Sequence, residues 1–331
     1  MTVMRNGKIG EYGNVTIDVD EGAHYHGGII ASTKVLSTFL RPGIVVPIIN
    51  ISADDEYGPS IKKLLKYLGV DTSFVTEVKG GGTRVYEVPE YKLLQTGESL
   101  QKVEPKPIPF KGFDILTVQS VSALYKHLYG KCVNDMLKRA TNAERHVDLN
   151  LRPKSLQELR GDEKSREMVI GTLPNIDDLY CTQHELYALA KEFSVENPWK
   201  RNFSEKLLTR WAQELCDEYG IDKVVVKDGG FGAFMQKRDG KTIFVSALHL
   251  GGKNTIGLGD RLRDGIVIQS YLGLTGLEGL TIGSTLSALQ TLRRSQKNLT
   301  KESFRETVLN NRNYYPLNGV DADRLIQELS V

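Results

Sequence analysis

Residues 251 to 265 read Gly251-Gly252-Lys253-Asn254-Thr255-Ile256-Gly257-Leu258-Gly259-Asp260-Arg261-Leu262-Arg263-Asp264-Gly265. This glycine-bracketed turn runs into a helical pattern carried by Ile266, Val267, Tyr271 and Leu272. The backbone N–H groups of Gly257, Leu258 and Gly259 can therefore converge on an anion at a helix N-terminus. Asp260, at the mouth of that nest, has two readings. It caps the helix, or it takes a proton from a substrate hydroxyl while the N–H groups hold a phosphoryl group in transit. No G-x-x-x-x-G-K-[ST] is present, so phosphate transfer here would not use a P-loop. Such transfer needs positioning and charge stabilisation more than covalent chemistry, and a nest at a helix N-terminus supplies both.

Other chemistry-bearing residues sit where buried strands end. In Asp148-Leu149-Asn150-Leu151-Arg152-Pro153, Arg152 can hold a phosphate or carboxylate bidentately and Asn150 a hydroxyl, or Arg152 forms a plain salt bridge. In Lys227-Asp228-Gly229-Gly230-Phe231-Gly232, glycines let the backbone approach a ribose and phosphate, and a strand-to-strand turn would use them too. No distal acid or matching βαβ unit makes this a dinucleotide fingerprint. Glu185, in Thr182-Gln183-His184-Glu185, caps the helix it begins or serves a cation; His184 reads as a surface residue. Asp55 contacts a hydroxyl or caps the helix that follows. His24, Tyr25 and His26 flank Gly27-Gly28 and either stack on a ligand or cover a surface.

Taken in order along the chain, these segments resemble the ribokinase-like, PfkB-type carbohydrate kinases from near the first residue to about residue 290. Residues 13–18 are similar to the family's first strand with its sugar-contacting aspartate, here Asp18, followed by the paired glycines Gly27 and Gly28. Asp55-Glu56-Tyr57-Gly58 matches D-x-x-G, residues 69–73 match G-V-D-T-S, and residues 148–153 match D-x-N-x-R-P. The resemblance implies Asp260 as the base, with Gly257, Leu258 and Gly259 as anion hole. Asp18, Gly27, Gly28, Ser32, Asp55, Asn150 and Arg152 would bind the acceptor. Lys227, Gly229, Gly232 and Asn254 would bind nucleotide, and Glu185 would order Mg2+ through water. Four positions depart from the family pattern: Ser32 and Thr182 stand for asparagine, Asn254 for aspartate and Leu258 for alanine. Arg261 and Arg263 are unusual where small and apolar residues are common. They would bind a second anionic group or disturb the site.

The elements that must position these residues alternate. Residues 44–51, 115–118, 146–151, 179–181 and 223–226 read as buried strands, and residues 60–68, 122–140, 185–193 and 204–219 as helices. Alternation of this kind predicts a parallel sheet covered by helices on both faces. The resemblance makes it a ribokinase-like three-layer αβα sandwich, one domain over residues 1–331, with a small β lid from residues 19–27 and 83–103. Exposed lid strands could pair edge to edge in a homodimer. Residues 302–331 read as a charged tail with a helix at 322–329.

Composition bounds the rest. The 331 residues are 40% hydrophobic and 25% charged, ordinary for a soluble globular chain. With 43 basic and 41 acidic residues the net charge is +2, so no overall field recruits nucleic acid. Residues 43–51 form the longest apolar run, contain Pro47 and are far too short for a bilayer. Cys132, Cys181 and Cys216 have no C-x-x-C spacing and read as reduced, buried thiols of a cytoplasmic protein. The expected activity is ATP- and Mg2+-dependent phosphorylation of a hydroxyl on a sugar or sugar-like molecule. The rivals are a catalytically weak sugar or nucleotide sensor, favoured by the four departures, and a nucleoside or vitamin kinase of the same fold.

Overall fold

Valine- and isoleucine-rich runs become the strands of the main sheet. The computed structural model describes residues 5–20, 23–87, 92–95, 112–252, 257–292 and 299–329. Asn254 and residues 88–91 and 96–103 of the expected lid lie outside them. In chain order the strands are β1 (Lys8–Tyr12), β2 (Val15–Asp20), β3 (Ala23–Gly27), β4 (Val45–Ser52), β5 (Val75–Val78), β6 (Arg84–Glu87) and β7 (Lys92–Gln95). There follow β8 (Phe113–Gln119), β9 (Glu144–Asp148), β10 (Asp178–Thr182), β11 (Lys223–Lys227), β12 (Gly232–Lys237) and β13 (Thr242–Ser246). Among the described residues, nine strands form one sheet in the order β13-β12-β11-β10-β9-β8-β1-β4-β5. From β11 to β5 they run parallel, and β12 and β13 fold back antiparallel at the edge.

Both faces of this sheet are buried, as the continuous apolar runs predict. Val224 and Val226 of β11 point into a core shared with Leu156, Leu186, Leu208 and Trp211, whereas Val225 points into another with Leu262, Ile266 and Leu280. Helices lie on each side: Ser122–Tyr125, His127–Arg139, Pro153–Gly161, Gln183–Leu189 and Glu205–Tyr219 on the first, Gly28–Phe39, Leu258–Leu272 and Gly276–Thr291 on the second. The fold is the expected mostly parallel αβα sandwich. Residues 122–140 form two helices rather than one, because Lys126 takes an extended conformation between them.

Two expectations are corrected. Residues 13–18 are not the first strand of the main sheet: β1 precedes them, and β2 belongs to a second, four-stranded sheet of order β3-β2-β6-β7, the small lid sheet. The C-terminal residues are not a tail. Helices Lys301–Asn310 and Ala322–Leu329 bury Phe304, Val308, Leu325 and Leu329 against Phe39, Tyr271 and Leu286, which outweighs the charge on their outer faces.

The second face also carries a polar layer. Alternate residues of a strand share a face, and on β9 these are Glu144, His146 and Asp148; beside them stand Asp178 and Tyr180 of β10, Thr117 and Gln119 of β8, and Glu11 of β1. Helix Leu258–Leu272 covers this row with Arg261, Arg263, Asp264 and Ser270. Opposite charges within the layer offset much of the cost of burying it, while several of its buried atoms, among them Asp148 Oδ2, Gln119 Oε1 and Arg263 Nη1, have no hydrogen-bond partner among the described residues. The helix is held by a glycine crossing: a Cβ on Gly265 would stand 2.2 Å from Gly283 N, and one on Gly283 would stand 2.5 Å from Leu262 O.

Candidate active site

Helix Leu258–Leu272 starts at Gly257, which has a φ of 74° and makes no side-chain cap hydrogen bond. Its first turn is therefore a source of positive dipole and N–H donors that no side chain takes up at the N-cap. Asp260 lies in that turn but does not cap it. Gln119, at the end of β8, donates Nε2 to Asp260 Oδ1 at 2.8 Å, and Arg263 Nη1 lies 3.9 Å from the same oxygen. Among the described residues its carboxylate is therefore engaged by side chains at Oδ1.

Beneath the helix start lies a closed set of charges. Lys227 Nζ donates to Asp148 Oδ1 at 2.7 Å, and Asp148 Oδ2 lies 3.9 Å from Arg263 Nη1. Arg263 and Arg261 pair with Asp264 at 3.0 and 2.9 Å. Asp148 and Asp264 are fully buried and both arginines 1% exposed, so the two arginines neither bind a second exposed anion nor disturb the site: they neutralise its floor. Burial works against the charge of Arg263, but Asp264, Asp260 and Asp148 together push its pKa up. The acidic residue Glu11 closes the cluster, accepting from Ser32 Oγ at 2.9 Å and Thr33 Oγ1 at 2.7 Å. Burial and the neighbouring Asp264 push Glu11 up to about 7.

The lid sheet delivers Asp18 to the same place. Its carboxyl is pushed up to about 6, first by burial and then by the charge of Asp260, with Arg152 opposing. Asp18 thus lies within electrostatic reach of Asp260 and Arg152. A Cβ on Gly27 would stand 2.5 Å from both Asp18 Oδ2 and Thr16 Oγ1, and one on Gly28, at φ 56°, would stand 2.3 Å from Asn14 O. The paired glycines are what lets β3 pass so close to β2. Asn150, at the C-terminal end of β9, has a φ of 39°, a strained backbone position of the kind that collects at functional sites.

Other expected residues are placed by structural demands. Ser32, expected on the acceptor side, is fully buried; its hydroxyl meets Glu11, Asp264 and Arg263 Nη2 (2.7 Å), so it belongs to the charge cluster. Asp55 accepts from the backbone N–H groups of Tyr57, Gly58 and Thr83 at 3.1, 3.0 and 2.6 Å. It caps a helix and pins the start of β6, while a Cβ on Gly58 would overlap Ser52 O at 1.7 Å; local packing accounts for both ends of D-x-x-G. Glu185 accepts from Leu151 N at 2.7 Å and closes a capping box with Thr182 N at 2.6 Å. Gly229 has a φ of 55° in open space, whereas Gly232, at φ 123°, lies where a Cβ would be 2.1 Å from Val245 O. The β12–β13 pairing alone demands that glycine. His24 turns to Tyr57, its Nδ1 3.0 Å from the phenol oxygen. Cys181 and Cys216 are buried, and burial pushes the Cys216 thiol up to about 12, so they are not nucleophiles.

At the opposite edge of the sheet, Glu144, His146 and Asp178 have metal-ligand spacing. Lys223 Nζ bridges Glu144 Oε1 at 2.7 Å and Asp178 Oδ2 at 2.9 Å, so this cluster carries its own cation. No described helix is long and apolar enough to cross a membrane.

Missed by sequence reasoning were Lys227's partner Asp148, the helper Gln119 and the cluster Glu11–Asp264–Arg263. The signal was available in Glu144-x-His146-x-Asp148, a polar period of two in a strand that must be buried on both faces.

Comparison with solved structures gives the same fold. Aminoimidazole riboside kinase from Salmonella enterica aligns with a TM-score of 0.71 at 16% identity, covering 91% of this chain and 99% of that one. Fructokinase from Vibrio cholerae O395, in its fructose, ADP and calcium ion bound form, aligns at 0.70 and 15% identity, covering 91% and 98%. An E. coli protein provisionally named ribokinase II, solved with ATP and Mg2+, aligns at 0.75 and 15% identity, covering 92% and 100%. A sequence search of curated proteins returns no match. The pfkB family carbohydrate kinase model matches residues 43–302, from β4 through the Asp260 helix. The chain belongs to the pfkB family of carbohydrate kinases.

Proposed function

We propose that this chain transfers the terminal phosphoryl group of ATP to a hydroxyl of a sugar or sugar-like small molecule. The observation that supports this most is Asp260 in the first turn of a helix that starts at Gly257, held by Gln119 above a floor of buried charge and within electrostatic reach of Asp18. Asp260 Oδ, oriented by Gln119, accepts the hydroxyl proton as that oxygen attacks phosphorus. The first-turn N–H groups of the 257–259 nest hold the developing negative charge. Asp18 and Arg152 hold the acceptor on the lid side. The Lys227–Gly232 segment, with Gly229 open to solvent, offers its backbone to the nucleotide. Glu185, whose carboxylate keeps lone pairs beyond its bonds from Leu151 N and Thr182 N, would order Mg2+ through water, and the ion would neutralise polyphosphate charge.

A nucleoside-like acceptor is favoured by one feature. Tyr25 and Tyr86 are the registered partners of Asp18 on either side of β2, so they share its face and can lie along a flat ligand. The S. enterica kinase with which this fold aligns carries a riboside in its name. Two copies pairing at the lid edges β3 or β7 would make the homodimer.

The test starts from a thermal-shift screen of sugars and nucleosides with Mg-ATP, followed by acceptor-dependent ATP consumption. Asp260→Asn keeps the size and the Gln119 contact but removes the proton acceptor, typically worth about 10² to 10⁴ in rate. Turnover should fall by that factor with nucleotide affinity nearly unchanged. Equal phosphotransfer by both proteins would sink the assignment.

A further inference from the structure

We infer that the Lys227 ammonium contacts the phosphoryl group in transit, so that the anion hole of this chain combines backbone N–H groups with a fixed side-chain cation. The inference rests on the kinase reading above. It starts from Gly259. A Cβ there would stand 3.2 Å from Lys227 Cδ and 3.4 Å from Nζ, so the side chain of Lys227 lies directly against the first helical turn, in the space the missing Cβ leaves. Asp148 is its one hydrogen-bond partner among the described residues, and an ammonium has three protons to give. Two remain for a ligand. The side chain ends β11, at the carboxyl edge of the parallel sheet where ligands of such sheets bind, and keeps 11% of its surface accessible. Burial lowers its pKa, but Asp148 and Glu185 raise it further, so it stays a cation.

In the reaction the acceptor oxygen forms a bond to the terminal phosphorus of ATP while the bond from that phosphorus to the bridging oxygen breaks. The bridging oxygen keeps the electron pair and leaves on ADP. The acceptor proton goes to Asp260, and Lys227 keeps all its protons. Its charge acts on the phosphoryl oxygens at a point where water is largely excluded and the field is correspondingly strong.

A buried Lys227–Asp148 pair that only ties β11 to β9 would look similar, and three variants separate the two. Lys227→Met removes the charge, Lys227→Arg restores it in altered shape, and Lys227→Met with Asp148→Asn removes the pair without leaving a buried lone carboxylate. Each is checked for folding by near-UV circular dichroism, then titrated with Mg-ADP and with Mg-ADP plus aluminium fluoride, a stand-in for the phosphoryl in transit. The expected result is ADP affinity within about twofold of wild type, and aluminium-fluoride complex affinity reduced on the order of 10²-fold in both Met-containing proteins, partly regained in Lys227→Arg. Equal losses for both ligands would make Lys227 a plain nucleotide contact and overturn the inference. So would an intact aluminium-fluoride complex in the folded double variant. These titrations need no acceptor, so Lys227 is judged even if the wild type shows no acceptor-dependent turnover; that outcome would instead overturn the kinase reading.

Discussion

Glu11 offers the sharpest test of the buried charge layer. Fully buried, it sits among Ser32, Thr33 and Asp264, and its pKa is raised from the ordinary 4.5 to about 7. Burial is the main cause, Asp264 adds to it, and Arg263 and the two hydroxyls oppose it. The folded protein thus holds this proton more tightly than the unfolded chain does. The associated stability is complete below pH 4.5 and is lost as pH rises through 7. At about 1.36 kcal/mol per pH unit, the span from 4.5 to about 7 is worth about 3 kcal/mol. Glu11→Gln keeps the shape, accepts from Thr33 through its carbonyl and can donate to Ser32, but cannot ionise. Urea unfolding of both proteins from pH 5 to pH 9 should show near-equal stability at the acid end. The variant should gain on the wild type by up to about 3 kcal/mol, the difference building up between pH 4.5 and about 7 and levelling off above 7. A constant difference across that range would mean that Glu11 does not titrate there, and the account of Glu11 as a buried acid whose charge burial and Asp264 oppose would fail.

Asp18, pushed up to about 6, accepts a hydroxyl hydrogen bond more strongly as the carboxylate than as the acid, so acceptor KM should worsen below about 6, by at most about tenfold per pH unit, and level off above. Asp18→Asn should show a weaker, flat profile; the same break in the variant would assign it to another group. Gly265→Ala must push a Cβ into Gly283 at 2.2 Å and should cost about 2 to 3 kcal/mol in urea unfolding and lower turnover, because the helix it tilts carries Asp260. The control is Gly161→Ala, which has no atom within 4 Å of the new Cβ. It should be neutral or slightly stabilising, and similar losses in both would remove the helix crossing as the cause.

Much of the architecture was legible because strand burial and helix amphipathicity are written locally. The valine runs predicted β4, β8, β10 and β11 within a few residues, and Thr182-x-x-Glu185 is a capping box on its own terms. Less legible was the small sheet: β1 and β2 are separated only by Gly13 and Asn14, yet they belong to different sheets, and nothing local marks the crossing. The C-terminal segment misled because its charges are visible in sequence, whereas the groove that takes Phe304 and Leu325 is built by residues far away in the chain.

The site divides along the same line. The sequence by itself determined a glycine-led helix start with a carboxylate in its first turn, because such a turn carries its N–H groups and that side chain wherever the helix goes. It also determined that Asn150 and Arg152 follow the end of a buried strand. Only the tertiary structure decided which carboxylates are structural. Asp55 and Ser32's partner Glu11 differ from Asp18 and Asp260 in whether backbone N–H groups or hydroxyls already satisfy them. Arg261 and Arg263, out of place in the linear motif, are explained by Asp264 on their own helix and by Asp148, which comes near Arg263 only when helix Leu258–Leu272 lies across β9. Charge pairing across such distances in the chain depends on the packed geometry, since the cost of burying each ion is offset only by the partner that folding brings to it.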